Sequence, residues 1–311
     1  MDAKEIQEKI DILQKEVSTV IKGKDEVIRK VIMAILASGH VLLEDVPGLG
    51  KTTLAKSIAR SVDCSCTRVQ FTPDLLPSDL TGINFYNQKT GEFQFRQGPL
   101  FSNMILADEI NRATPRTQSS LLEAMEERQI SVDGTTTKLQ EPFMVMATQN
   151  PLESYGTFPL PEAQIDRFFM KLKLGYMTRE QELSVISRPS TSKIVEELEQ
   201  VVSLEEIEQL KSMIPQISMS DEVAGYLMDI VEHTRSSGVS TRGAIALYKA
   251  SQVTAALAGR DYVLPEDVRY VAPYVLCHRV TFNGPARTGD IEETFSRLLA
   301  EVPAPLENIR Q

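Results

Sequence analysis

Cysteine, histidine, long apolar runs and positive charge are all in short supply in this sequence of 311 residues. Three cysteines, Cys64, Cys66 and Cys277, are too few for a disulfide framework. Cys64 and Cys66 also lack the two-residue gap of redox and zinc motifs, so all three are read as reduced thiols. His40, His233 and His278 share no ligand spacing with one another or with the cysteines, which excludes a structural metal centre. No G-x-S-x-G elbow is present. The longest apolar runs, such as 31–37, fall far short of the roughly 20 residues of a membrane helix. The opening MDAKEIQEKID is charged from its second residue and has no apolar h-region, so a cytoplasmic protein is expected. With 43 acidic against 33 basic residues, the formal net charge of −10 offers no uniform positive field to a polyanion such as DNA.

What is present is an ordinary globular composition, 42% hydrophobic and 24% charged, in a chain long enough for two domains. Ile6, Ile10, Leu13 and Val17 recur at helical spacing and predict an amphipathic first helix that Gly23 ends. A second helix over about 25–38 leads into an apolar run at 40–44, short enough to be a buried strand. Further short apolar runs at 67–72, 104–108, 143–148 and 169–174 alternate with helical patterns such as 119–128. Strands alternating with helices predict an α/β fold with a mostly parallel sheet covered on both faces. After Arg188, PSTSK reads as a linker, and the segments 204–214, 221–235, 241–258 and 265–279 all read as helices. The expected division is 1–188 for the α/β unit and 189–311 for an all-helical unit. No internal repeat or low-complexity tract is visible.

The stretch VLLEDVPGLGKTT, directly after the first predicted strand, is the candidate phosphate loop. The strict pattern G-x-x-x-x-G-K-[ST] needs a glycine where Asp45 stands. The glycines that allow close backbone approach lie nearer the phosphates, however, and position 45 lies where the strand exits. An aspartate tolerant of turn geometry is expected to substitute there, and a carboxylate beside phosphates would repel them. Pro47, Gly48, Leu49, Gly50, Lys51, Thr52 and Thr53 supply the loop, with backbone N–H groups, a helix N-terminus, a lysine and a hydroxyl for magnesium. A chance G-x-G-K-T in a surface turn is the bland alternative.

The corroboration lies downstream. MILADEIN ends an apolar strand in Asp108-Glu109. A carboxylate at that edge can hold magnesium through water, and Glu109 can polarise an attacking water as general base. A third strand, FMVMATQN, ends in Asn150 at the same sheet edge, where ligands gather in open α/β folds.

With these residues in view, the chain resembles the AAA+ superfamily of ATPases and, within it, the MoxR family. The resemblance rests on VLLEDVPGLGKTTLAK, GPLFSNMILADEINRATPRTQSSLLEAMEERQISVDG, ATQNP, LPEAQIDRF and STRGAIALYKAS, in that order along nearly the whole chain. It implies a P-loop αβα core with a parallel five-stranded sheet, a small all-α lid, ATP and Mg2+ as cofactors, and a homo-oligomer, expected to be a hexameric ring. Position by position, Lys51 and Thr52 would contact phosphate and magnesium, Asp108 and Glu109 would be the magnesium and water-activating carboxylates, and Asn150 the γ-phosphate sensor. Arg167 resembles the arginine finger that reaches a neighbour's ATP, and Arg242 the second sensor on the lid. A fixed guanidinium stabilises the charge that spreads over the departing phosphoryl oxygens. A surface ion pair for Arg167 and a solvent-facing helix start for Arg242 are the alternatives.

Two insertions read as hairpins. INFYNQKTGEFQFRQGPLF turns at Thr90-Gly91, and its Phe85, Tyr86, Phe93 and Phe95 are expected either to pair and pack onto the core or to touch a substrate in a pore. QISVDGTTTKLQEP turns at Asp133-Gly134. The leading functional expectation is a magnesium-dependent ATPase that remodels or matures partner proteins, with von Willebrand factor A proteins as separate polypeptides. A helicase-like nucleic-acid motor, a magnesium-chelatase-type motor subunit and a nucleotide-gated scaffold are the rival readings.

Overall fold

The structure is a computed structural model that describes residues 3–150, 156–187, 191–235, 237–280 and 288–305. Two helices, α1 (Ala3–Val20) and α2 (Asp25–Leu36), precede β1 (Val41–Glu44) and α3 (Lys51–Val62). Then follow β2 (Cys66–Gln70), the short α4 (Pro77–Thr81), the hairpin β3 (Gly82–Asn87) and β4 (Glu92–Gln97), β5 (Met104–Asp108) and α5 (Pro115–Glu127). A second hairpin, β6 (Gln129–Val132) and β7 (Thr135–Lys138), leads to β8 (Met144–Gln149), α6 (Glu162–Ile165) and β9 (Met170–Leu172). The remainder is helical: α7 (Arg179–Ile186), α8 (Thr191–Glu196), α9 (Leu204–Met213), α10 (Asp221–Arg235), α11 (Thr241–Leu257), α12 (Pro265–Leu276) and α13 (Thr288–Glu301).

The five central strands run parallel in the order β2-β5-β8-β1-β9. Their side chains sort by alternation into two cores. Val41, Leu43, Met104, Leu106, Met144 and Met146 face one hydrophobic cluster, and Leu42, Ile105, Ala107, Val145 and Ala147 face another. Both faces are therefore covered, as expected for a parallel sheet. The register aligns Gln70 with Asp108 and Glu44 with Gln149, so the C-terminal ends of β2, β5, β1 and β8 share one sheet edge.

The first cluster does not stop at the α/β unit. Ile6, Ile10, Leu13 and Val17 of α1 are fully buried in the same cluster as Leu247, Val253 and Val271 of the helical unit. Each such side chain contributes about 1.5–3 kcal/mol relative to exposure. On α2, Lys30 is almost completely buried, pairs with Glu26 at 2.6 Å and lies 4.3 Å from the Tyr274 ring of α12. Desolvation pulls its pKa down, but its hydrogen bonds to Glu26 and Tyr270 prevail and hold it above the usual lysine value. The helical unit is thus fixed to the sheet unit through α1 and α2.

Several boundaries differ from the sequence reading for physical reasons. The first helix stops at Val20, before Gly23. The second stops at Leu36, because Ser38 takes a left-handed φ of 55°. The helix read over 119–128 starts at Pro115, whose fixed φ suits the first helical position after Thr114. Of the predicted linker, Pro189 and Ser190 lie outside the described residues, whereas Thr191 and Lys193 belong to α8. The helix read over 265–279 yields at Leu276 to a 3-10 turn over Cys277–Arg279.

Candidate active site

The loop after β1 enters α3 through Gly48 and Gly50, at φ 88° and 91°, values that a side chain would strain. Gly50 caps α3, so Lys51, Thr52 and Thr53 form its first turn with their N–H groups unclaimed by the helix. With Pro47, Gly48 and Gly50 they line a cleft of about 350 Å³ whose far wall is Asp108, Glu109, Thr148 and Asn150. Leu49 instead packs against the hydrophobic cluster. Five predicted residues from two strand ends and one helix start, Lys51, Thr52, Asp108, Glu109 and Asn150, therefore meet in one cavity.

Asp45 behaves differently from the sequence argument. Its φ is not positive, so this bend makes no demand for glycine. Its carboxylate is 7% exposed and accepts hydrogen bonds from the backbone N–H groups of Leu174 at 2.6 Å and Gly175 at 3.1 Å. The charge is spent on the segment after β9. Lys51 Nζ donates to the Asp45 carbonyl at 2.7 Å. Burial lowers the Lys51 ammonium below the ordinary lysine value, against the opposing pull of Asp45, Asp108 and Glu109.

The two acids are held by residues that motif reading missed. Thr148, 1% exposed on β8, donates its hydroxyl to Asp108 Oδ1 at 2.6 Å and accepts the Glu109 N–H at 2.8 Å. Arg68 on β2 donates to Asp108 Oδ2 from Nε at 3.0 Å and from Nη2 at 2.6 Å. Glu109 Oε2 accepts from Gln70 Nε2 at 2.7 Å and Arg112 Nη1 at 3.0 Å. The available signal was Arg68 and Gln70 alternating on a strand whose neighbour ends in acids. A hydroxyl, a carboxylate and room for phosphate oxygens form the donor set that magnesium takes, since that ion binds through one or two carboxylates and keeps several waters.

Arg167 and Arg242 are not in this cleft. They meet in a second one of about 290 Å³, lined also by Ser38, Gly39, His40, Glu126 and Asp166. Arg167 Nε stands 3.1 Å from Glu126, Arg242 pairs with the same carboxylate, and Arg242 Nη1 lies 3.4 Å from Asp166. Asp166 also accepts from Ser240 at 3.0 Å and from Arg279 Nε at 2.7 Å. Arg279, 8% exposed, further donates to the carbonyls of Asp166 and Phe168, so a lid residue clamps the backbone that carries Arg167. Burial lowers its pKa, and the Asp166 carboxylate counteracts that.

The second cleft adjoins the start of β1 and the first adjoins its end. The strand's four residues put them about 13 Å apart along it, beyond the reach of an arginine across a packed sheet.

Both hairpins form as read. Asp133 and Gly134 take φ 48° and 80°, the paired left-handed conformation of a tight turn, and Asn84 Nδ2 donates to Asp133 Oδ2 at 2.8 Å, tying one hairpin to the other. Tyr86 and Phe93 meet edge-on at 5.5 Å, but they remain 53% and 75% exposed, so the aromatics pair without packing into the core. Among the described residues no three His, Cys, Asp or Glu side chains cluster as a metal site, and no helix is long and apolar enough to cross a membrane.

Comparison with known proteins agrees with this geometry. Residues 40–170 match the family described as "ATPase family associated with various cellular activities (AAA)", and 228–299 match an AAA lid domain. The chain is 47% identical to the uncharacterized protein YeaC of Bacillus subtilis (strain 168), over 94% of this chain and 93% of that one. It is 38% identical to the chaperone MoxR1 of Mycobacterium tuberculosis, over 94% and 81%. A candidate ATPase from Cytophaga hutchinsonii, solved by crystallography, superposes with a TM-score of 0.87 at 40% identity, covering 95% of each chain. A five-stranded parallel sheet, a loop-to-helix phosphate cradle facing paired carboxylates, and full-length relatives of that name place this chain in the MoxR family of AAA+ ATPases.

Proposed function

We propose that the protein hydrolyses ATP with Mg2+ and couples the cycle to remodelling or maturation of partner proteins. The observation that carries the first half is the convergence of Lys51, Thr52, Asp108, Glu109 and Asn150 in one cleft. Lys51 and the first-turn N–H groups of α3 bind the phosphates, and Thr52 and Asp108 would hold the metal, which would supply positive charge against the phosphate oxygens. Glu109 accepts the proton of the attacking water, and Asn150 orients the γ-phosphoryl group. The chaperone name of the Mycobacterium tuberculosis relative supports the second half. Clients are separate polypeptides, von Willebrand factor A proteins among them, and the protein works in the cytoplasm.

The reaction needs a second subunit. Arg167 and Arg242 sit together at the opposite end of the sheet from Lys51, so both serve the nucleotide of a neighbouring copy. Such head-to-tail contacts close into rings, here of six subunits. The test is steady-state ATPase rate against protein concentration, with magnesium and with or without DNA. The specific rate is expected to rise with concentration and to ignore DNA. Lys51→Ala abolishes nucleotide binding, Glu109→Gln binds ATP without turnover, and mixing Lys51→Ala with Arg167→Ala subunits restores part of the activity, because each contributes one sound half-site. Stimulation by DNA, or no recovery on mixing when the two co-assemble, would overturn the reading.

A further inference from the structure

An open apolar groove of about 630 Å³ runs alongside the Arg167 and Arg242 cleft and shares Ala37, Ser38, Ile245 and Lys249 with it. Ile214, Leu227, Met228, Ile245 and Tyr248 supply its apolar surface. Met228, Ile245 and Tyr248 are 37%, 53% and 40% exposed, an uncommon concentration of apolar surface on one side of a lid. Lys249 stands exposed at its margin, whereas Lys211, also in the lining, is already paired with Glu141 and Glu208.

At the other end of α2 lies a matching surface. Tyr176, Leu183 and Ile186 are 73%, 54% and 78% exposed, on α7 and the residue stretch leading into it. Leu183 and Ile186 are three apart and so share one helix face. Glu180 and Glu182 are exposed beside them. This segment is tied to the nucleotide end of the molecule. Asp45 holds the amides of Leu174 and Gly175, and Lys24 Nζ donates to the carbonyls of Gly175 at 3.0 Å and Tyr176 at 2.8 Å.

We infer that the groove of one subunit receives α7 of the next copy of this chain, with Leu183 and Ile186 entering the groove and Glu180 and Glu182 facing Lys249. The inference rests on the reading that Arg167 and Arg242 serve a neighbour's nucleotide. Three observations favour this occupant. The groove is continuous with the cleft holding both arginines, and α7 is anchored beside the loop they would reach. Exposed Glu180 and Glu182 of α7 are opposite in charge to the exposed Lys249 of the margin. The two patches also lie at opposite ends of α2, whose 12 residues span about 18 Å, so one chain cannot satisfy its own groove but a head-to-tail neighbour can. Docking of α7 would couple lid position in one subunit to the phosphate loop of the next through Asp45.

The experiment mixes full-length chains carrying Ile186→Cys with chains carrying Ile245→Cys, both in a background with Cys64, Cys66 and Cys277 replaced by serine, and adds a short bismaleimide, with ATP and magnesium present. The expected product is a covalent dimer that appears only in the mixture, because neither variant alone carries both partners. In parallel, Ile186→Asp is expected to raise the concentration for half-maximal assembly at least tenfold, measured by sedimentation velocity, and Ile245→Lys is expected to recover most of that loss. Absence of the mixed cross-link, or of any assembly, overturns the inference, and in the first case the groove is left to a client segment. Recovery of ATPase on mixing Lys51→Ala with Arg167→Ala, without the cross-link, sinks the groove assignment alone. The cross-link without recovery sinks the shared active site alone.

Discussion

Replacing Asp45 with glycine would make the loop match the strict phosphate-binding pattern, and the structure says the change weakens the protein. The carboxylate is buried and accepts two backbone N–H groups, those of Leu174 and Gly175. Hydrogen bonds to a charged acceptor contribute about 1.5–3 kcal/mol each, and the two lost here also leave donors without partners. Against this stands the relief of a desolvated charge, so a net loss of about 3 kcal/mol is expected for Asp45→Ala. Asp45→Gly adds roughly 0.4–1 kcal/mol through the looser unfolded chain. Because Asp45 has no positive φ, glycine gains nothing in compensation.

A thermal melt followed by circular dichroism reads the effect. At roughly 2–4 °C per kcal/mol for chains of this order, the midpoint is expected to fall by about 6–12 °C in Asp45→Ala and slightly more in Asp45→Gly. Asp45→Asn retains one acceptor oxygen and is expected to lose about half as much. Affinity for a fluorescent ATP analogue should not improve in any of the three, since Lys51 bonds the backbone carbonyl of residue 45, which every variant keeps. If Asp45→Gly melts at the wild-type temperature and binds nucleotide more tightly, the carboxylate is a repulsive group after all and the anchoring argument is refuted.

Thr148→Val preserves shape while removing the acceptor for the Glu109 N–H and the donor to Asp108. It is expected to lower stability by about 1–3 kcal/mol and to cut turnover with little change in ATP affinity, separable by comparing kcat with a binding constant; an unchanged kcat would show that Thr148 positions neither acid. His40 is fully buried, accepts the Val145 N–H on Nδ1 at 3.0 Å and contacts the Met125 carbonyl through Nε2, and burial holds its pKa at about 4 against an ordinary 6.5. A histidine with a depressed folded pKa binds protons more readily when unfolded, so stability is present above about pH 6.5 and is lost as pH falls toward 4, by roughly 3 kcal/mol in total. Urea midpoints at pH 5 and pH 7 should differ less in His40→Gln than in wild type, with His278 supplying a residual slope of the same sign; equal slopes would remove His40 as the cause.

The parts of the fold that were legible are those where local chemistry and tertiary packing agree. Asp221–Arg235 was read to the residue, because acids open it and basic residues close it. The cleft was legible because Gly48, Gly50, Lys51, Asp108 and Glu109 each occupy a position that one function demands. The support of that cleft was not. Arg68, Gln70 and Thr148 act through strand register, and pairing of Gln70 with Asp108 is a fact about two segments far apart in sequence. The anchoring role of Asp45 was illegible for the same reason, since its partners lie after β9. Arg242 could be placed on a helix start but not at an end of the sheet, because that depends on how α11 docks against Asp166 and Glu126.

Glu109 shows how local strain and site geometry meet. In a continuing strand, residues 108 and 109 would point to opposite faces, and only one of the two acids could line the cleft. Both do so because the chain turns at Glu109 into the left-handed region, φ 58° and ψ 50°, at a cost of about 1–2 kcal/mol for a side chain of this kind. The turn leaves Asp108 in register with Gln70 while swinging the next carboxylate onto the same side. Three contacts hold the turn: the Thr148 hydroxyl on the Glu109 N–H, and Gln70 and Arg112 on its carboxylate. A glycine would sit at this φ without strain, yet it would remove the carboxylate for which the turn exists. The strained backbone is therefore the geometric condition for placing two carboxylates on consecutive residues of one cleft, as the proposed metal-binding and proton-accepting roles require.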